Sequence, residues 1–257
     1  MKKSFYFTIV AVLFMFVNVV YSGDKLIFSA YPTGPPNFWV KDGKLIGVGP
    51  EVVETIFTEL GVSVESRVYP WKRVLMLAER GDIDVIAGLY FTQERTDYLE
   101  YFEPHYTVNE QVIIVAKGKV FPFNKWDDLI GLKGGSLVGD SFGEEFDKFI
   151  TEKLNIEGVG TLIQGFKMLV KGRIDYMPVS RDLAEIQARK VGVRNDIEIL
   201  PMPINSEKMY MGISKKSPFL KYLPKVNQRL KQLNEQGVIE KLTLKYLKIV
   251  SSEHEEP

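Results

Sequence analysis

The segment from Trp71 to Arg95, W-K-R-V-L-M-L-A-E-R-G-D-I-D-V-I-A-G-L-Y-F-T-Q-E-R, constrains this chain more than any other. It reads as an amphipathic helix over 71–80, a glycine stop, an apolar strand over 83–88, and a turn presenting Thr92 and Arg95. An arginine just past the carboxyl end of a buried strand in an open α/β sheet faces the place where such sheets bind ligands. Its planar guanidinium is suited to grip a carboxylate through two parallel hydrogen bonds. The plainer alternative is a surface ion pair with Glu94, Asp97 or Glu100.

The rest of the chain repeats the same grammar. Strands are expected at 26–30, 62–68, 112–116, 136–138, 174–177, 197–200 and 209–214. Helices are expected at 50–60, 144–154, 162–171, 181–190, 220–234 and 238–246. In the first of these, Pro50 opens the helix, Glu51 suits its positive end and Gly61 stops it. Alternation of this kind implies parallel strands joined by right-handed helical crossovers. Two blocks echo each other: E-R-G-D-I-D-V at 79–85 and V-K-G-R-I-D-Y at 170–176. Each ends a helix on a glycine and enters a strand through Ile-Asp, which suits two similar lobes. Chain crossings between lobes are expected near 107–111 and 203–207, giving a hinge.

The N-terminus carries Lys2 and Lys3, an apolar run over 5–21 and small residues at Ser22 and Gly23. This is the layout of a secretory signal with cleavage after Ser22, the uncleaved membrane anchor being the alternative. Removing it leaves 31 basic against 33 acidic residues, a net charge of −2. No basic field exists for nucleic acid. The chain has no cysteine, so neither disulfides nor thiolate metal sites are available. The 45% apolar and 26% charged content is that of a globular protein, and the ~235 residues left suffice for a core without cross-links.

G-D-S-F-G at 139–143 matches G-x-S-x-G after a strand and before a helix. That pattern suits a hydrolase nucleophile or an anion held at a helix N-terminus. The histidines are His105, which precedes the serine, and His254 in the polar tail, so the order serine, acid, histidine lacks support. Ser141 and Phe142 are better read as ligand contacts, and no metal cluster or catalytic group is expected.

Several loose markers fall in order: P-P-N-F-W, D-G-K-L-I-G, P-W, G-D-I-D-V-I-A-G, T-Q-E-R, Y-F-E-P-H-Y, W-D-D-L, G-R-I-D and L-N-E-Q-G-V-I-E-K. Through them the chain resembles the periplasmic solute-binding proteins of ATP-binding-cassette importers, polar amino acid type (bacterial extracellular solute-binding protein family 3). The resemblance implies a two-lobed α/β fold of the Venus-flytrap type, hinged by two crossings. It implies a signal peptide at 1–22, a first lobe at 23–109 and 205–250, a second at 110–204, and a disordered tail at 251–257. It also implies a periplasmic monomer without cofactor, whose partners are a small-molecule ligand and, transiently, an importer permease.

In that family the arginine of T-x-x-R grips the ligand's α-carboxylate, which implies this role for Arg95 beside Thr92. The matching small positions are Gly88 and Tyr90, and Tyr90 departs from the usual serine or threonine. Trp71 matches the aromatic that covers the ligand side chain, plain core being its alternative. Asn37 stands where an aromatic is usual, leaving Tyr31 and Trp39 as replacements. The aspartate that takes the α-ammonium is replaced by Ser180, followed by Arg181, with Asp182 in reach only if the helix start is shifted. This departure opens the alternative of an anion lacking the amino group, held by Arg95 and Arg181, the latter otherwise a solvated first-turn residue. An enzyme resembling cyclohexadienyl dehydratases, with His105 or Glu144 as general acid, and a ligand sensor for a membrane kinase are further readings.

Overall fold

The computed structural model describes residues 25–252. The expected signal segment therefore lies outside the described residues. Strands β1 (Leu26–Ser29), β2 (Thr33–Gly34), β3 (Phe38–Lys41) and β4 (Lys44–Ile46) lead into helix α1 (Val48–Glu59). There follow β5 (Val64–Ser66), α2 (Trp71–Arg80), β6 (Val85–Tyr90), β7 (Leu99–Tyr101) and the long β8 (Thr107–Ala116). The middle of the chain forms β9 (Lys133–Leu137), α3 (Glu144–Lys153), β10 (Asn155–Val159), α4 (Leu162–Val170), β11 (Tyr176–Ser180), α5 (Arg181–Lys190) and β12 (Ile197–Ile199). A second long strand, β13 (Asn205–Ser214), returns to α6 (Leu223–Glu235) and α7 (Val238–Ser252).

One continuous sheet runs β10-β9-β11-β8-β13-β6-β1-β5. Its two ends are parallel, as the alternating pattern implies: β1 pairs β5 and β6, and β9 pairs β10 and β11. Its middle is antiparallel, because β8 and β13 run the other way beside β11, β6 and each other. The all-parallel expectation is corrected there. The first half of β8 pairs the first half of β13, from Thr107 opposite Met209 to Gln111 opposite Asn205. The second half of each strand then joins a different lobe: β8 pairs β11, and β13 pairs β6. The protein thus has the two-lobed type II fold, with two strands crossing between the halves.

Burial follows the sequence pattern. On α1, Val52, Val53, Ile56 and Phe57 are buried against the first lobe's sheet. A separate cluster in the second lobe gathers Ile113, Phe142, Phe146, Tyr176 and Leu200. The echoed turns do the same work twice. Gly81 and Gly172 take the left-handed conformation, with φ of 87° and 64°. Asp84 Oδ2 then accepts from Ile27 N at 2.8 Å while its own N–H donates to Ile27 O at 2.8 Å. Asp175 makes the same exchange with Lys133, at 2.7 Å in both directions. Each aspartate fastens the strand it enters to the first strand of its lobe.

Three features escaped the sequence reading. The hairpin sheet β2-β3-β4 and the short strands β7 and β10 lie in stretches without strong alternation. The strand expected at 174–177 lies at 176–180. Helix α7 runs to Ser252, so the first two residues read as tail are helical and the remainder lies outside the described residues. Among the described residues no helix is long and apolar enough to cross a membrane.

Candidate functional site

The carboxyl end of β6, the end of β9 and the start of α5 converge on one pocket between the lobes. It encloses about 660 Å³ of atom-free space, its open mouth included. Its first-lobe side carries Tyr31, Phe38, Trp71, Gly88, Tyr90 and Arg95. Its second-lobe side carries Asp140, Ser141, Phe142, Ser180, Asp182 and Leu183. Asn109 and Gln111, on the crossing half of β8, form the wall between them.

Arg95 is only 6% exposed. The turn after β6 sets its position: Thr92 Oγ1 accepts from Arg95 N at 3.3 Å, opening a short 3-10 helix over Glu94–Asp97. Its Nη1 donates to Tyr90 O at 2.8 Å and its Nη2 to Gly139 O at 3.1 Å. The guanidinium sits 5.8 Å from the Trp71 ring centroid, in range for cation–π attraction. The alternative ion pairs do not form: both guanidinium bonds end on backbone carbonyls, and Glu100 pairs with Lys215 instead. A guanidinium has five N–H donors, more than these two carbonyls and the neighbouring Tyr101 hydroxyl take up.

Gly139 O also accepts from Trp71 Nε1 at 3.0 Å. One second-lobe carbonyl is thus held by two first-lobe side chains. Gln187 of α5 adds a third tie, donating to Thr33 O at 3.1 Å. Trp71 is 6% exposed and lines the pocket, so it is both buried and part of the pocket wall.

The second lobe brings charge that the sequence reading did not assign. Asp140 lines the pocket directly after Gly139, and its carboxyl is pushed up to about 7. Burial is the main cause; the Arg95 guanidinium pulls the value down and Asp147 pushes it up. Asp182, two residues after Ser180, lines the same pocket from the first turn of α5 although the helix starts at Arg181 as expected, so the shift thought necessary to bring it into reach is not needed. The G-D-S-F-G turn is tied to Asp147 of the helix that follows it. Ser141 Oγ donates to Asp147 Oδ2 at 2.5 Å and Phe142 N donates to Asp147 Oδ1 at 2.8 Å. His105 lies elsewhere, against the Tyr210 ring at 5.9 Å, so among the described residues Ser141 has no imidazole base.

Three residues expected at the site stand outside the pocket lining. Trp39 packs edge-on against Tyr246 of α7 at 5.5 Å, because its strand faces the C-terminal helix; Phe38, one residue earlier, takes the pocket side. Arg181 forms an ion pair with Glu110 on β8 and is committed there. Thr92 shapes the arginine turn from behind. Asn109, Gln111 and Asp140 were missed. A signal for the first two existed: they are two apart on an expected crossing segment, hence on one face of a strand.

Gly88 has no room for a side chain. A Cβ there would fall 2.2 Å from Phe38 Cε1 and 2.8 Å from Tyr106 Oη. Gly88→Ala is expected to drive the Phe38 ring into the pocket and to cost about 1–2 kcal/mol of stability by overpacking. Urea denaturation measures the cost, and an unchanged midpoint would show that Phe38 yields freely.

The family profile of the bacterial extracellular solute-binding proteins, family 3, matches residues 26–249, nearly the whole described chain. The chain belongs to this family. Among curated relatives, this family-3 protein is 24% identical over 213 residues to the probable amino-acid-binding protein YxeM of Bacillus subtilis (strain 168), covering 82% of this chain and 79% of the relative. It is also 24% identical over 204 residues to the L-cystine-binding protein TcyA of the same organism, covering 79% and 73%. The fold is shared with the amino acid transporter substrate-binding protein AbpA of Streptococcus pneumoniae, solved with L-arginine. That match has a TM-score of 0.74 and 22% identity over 88% of this chain and 95% of the other. It is shared equally with a histidine kinase sensor domain, at a TM-score of 0.75 and 19% identity over 87% and 96%. The same fold is thus found in a transporter's substrate-binding protein and in a kinase sensor domain.

Proposed function

We propose that this family-3 solute-binding protein captures a zwitterionic amino acid or a close analogue outside the cytoplasm and hands it to an ATP-binding-cassette importer. The supporting observation is an arginine on one side of the pocket facing two ionisable carboxyls on the other. Arg95 stands on the first lobe and the carboxyls of Asp140 and Asp182 on the second. Arg95 takes the ligand's carboxylate. Asp140 and Asp182 supply the ammonium acceptor that Ser180 cannot, which favours an amino acid over an anion without the amino group. The aromatic faces of Tyr31, Phe38, Trp71 and Phe142 enclose its side chain.

Capture proceeds by closure. Ligand binds the first lobe, the second swings in about the two crossing strands, and Gly139 O closes on Trp71 and Arg95. The ligand shifts that equilibrium only by its preference for the closed form. A thermal-shift screen over amino acids, dicarboxylates and small peptides tests the reading. A ligand at 100 times its dissociation constant adds about 2.7 kcal/mol of stability. A response confined to carboxylates without an amino group would sink the zwitterion assignment.

One observation supports a second reading. A pocket carboxyl titrating at about 7 beside a carboxylate-binding arginine is equipped for general acid catalysis. Neither His105 nor Glu144 lines the pocket, so Asp140 takes the acid's place in this reading. Product formation from arogenate or prephenate would decide for it.

A further inference from the structure

The hydroxyl of Tyr90 has an unusual set of partners. Asn109 Nδ2 donates to it at 3.1 Å and Gln111 Nε2 donates to it at 2.8 Å. Two N–H donors occupy both acceptor positions of a phenolic oxygen. Its own O–H then finds no acceptor among the described residues. Asn109 and Gln111 are themselves buried, Gln111 to 1% exposure, so their amides are fixed in place. A second phenol lines the same pocket: the buried hydroxyl of Tyr31 lies beside Thr33 and its O–H finds no acceptor among the described residues. A buried O–H without an acceptor costs free energy, and here the space beside both hydroxyls is the ligand cavity.

We propose that Tyr90, seconded by Tyr31, is a specificity donor: its O–H, aimed by Asn109 and Gln111, selects ligands whose side chain carries a hydrogen-bond acceptor oxygen. This rests on the amino acid reading above and goes beyond it by naming a chemical feature of the side chain. The two amides make Tyr90 a donor and block it as an acceptor. A side chain offering only donors is turned away, and a purely apolar one leaves the hydroxyl unpaired. An amide, a sulfoxide, a carboxylate or an ether oxygen satisfies it.

Paired probes test this by calorimetric titration. L-methionine sulfoxide is set against L-methionine, and L-glutamine against L-norleucine. In the wild-type protein the oxygen-bearing member is expected to bind about tenfold more tightly, the worth of one buried hydrogen bond with its desolvation cost. In Tyr90→Phe the gap is expected to collapse to within about twofold by loss of that bond, with Tyr31→Phe narrowing it in part. Equal affinities within the pairs in wild-type protein, or a gap that persists in folded Tyr90→Phe, would overturn the proposal. Should the variant fail to melt cooperatively, the wild-type ratio still decides. If none of the four binds and the thermal-shift screen returns only amino acids with apolar or donor-only side chains, the Tyr90 role is overturned; a screen response confined to carboxylates without an amino group overturns the ligand reading instead. Binding without discrimination sinks the Tyr90 role alone.

Discussion

Arg95→Ala is expected to weaken ligand binding by about 2–5 kcal/mol, the cost of truncating one partner of a buried, hydrogen-bonded charge pair. The effect is large because the guanidinium is almost sealed from water and supplies the site's positive charge. Its loss would also strip Gly139 O of one of its two first-lobe partners. Closure is therefore expected to become less favourable even without ligand. Calorimetry with the ligand found by thermal shift measures the first effect, and small-angle scattering with and without that ligand measures the second. Unchanged affinity would remove Arg95 from the site and with it the orientation proposed for the ligand.

Asp140→Asn is expected to change how stability depends on pH. The folded chain holds the Asp140 proton up to about pH 7, whereas the free side chain releases it near 3.8. Between those values the folded state binds more protons than the unfolded one. This contribution is therefore fully present at the acid end and is lost as pH rises through 7. Spread over about three pH units and discounted for the solvent that reaches the pocket, it amounts to about 2–3 kcal/mol. Burial raises Asp147, Asp182 and Glu207 as well, whereas Glu59 and Glu185 are held below their ordinary range by Arg229 and Arg194. The informative quantity is thus the difference between wild type and variant, from urea denaturation at several pH values. That difference should slope between pH 4 and 7, the wild type losing relative stability toward neutrality. A flat difference would show that Asp140 titrates as in water.

The parts of this molecule visible in its sequence are those fixed by local pattern. Helix α2 falls at Trp71–Arg80 as read, because Pro70 precedes it, its apolar positions share one stripe and Gly81 ends it. Arg95 could be placed at a ligand crevice because strand, turn and arginine are contiguous. Asp140 was not visible. It enters the pocket only because β9 and β6 are brought face to face by strands far away in the chain, and nothing in G-D-S-F-G itself distinguishes a pocket carboxylate from a capping one. Trp39 went astray by one residue. Along a strand neighbouring side chains point to opposite faces, so Phe38 received the pocket and Trp39 the C-terminal helix. The antiparallel centre was missed for a related reason. Strand direction is set by which lobe each half of β8 and β13 must reach, and no local residue pattern records it.

Asn109 and Gln111 line the pocket from the half of β8 that pairs β13 between the lobes, so under the proposed capture they would touch cargo and flex together. Recognition and mechanics share a component here. A lineage altering what this protein accepts through that wall would alter, in the same step, how fast its jaws part. Selectivity and release rate should then drift together across variants of Asn109 and Gln111, while changes at Leu183, on α5, should tune selectivity with little effect on pace.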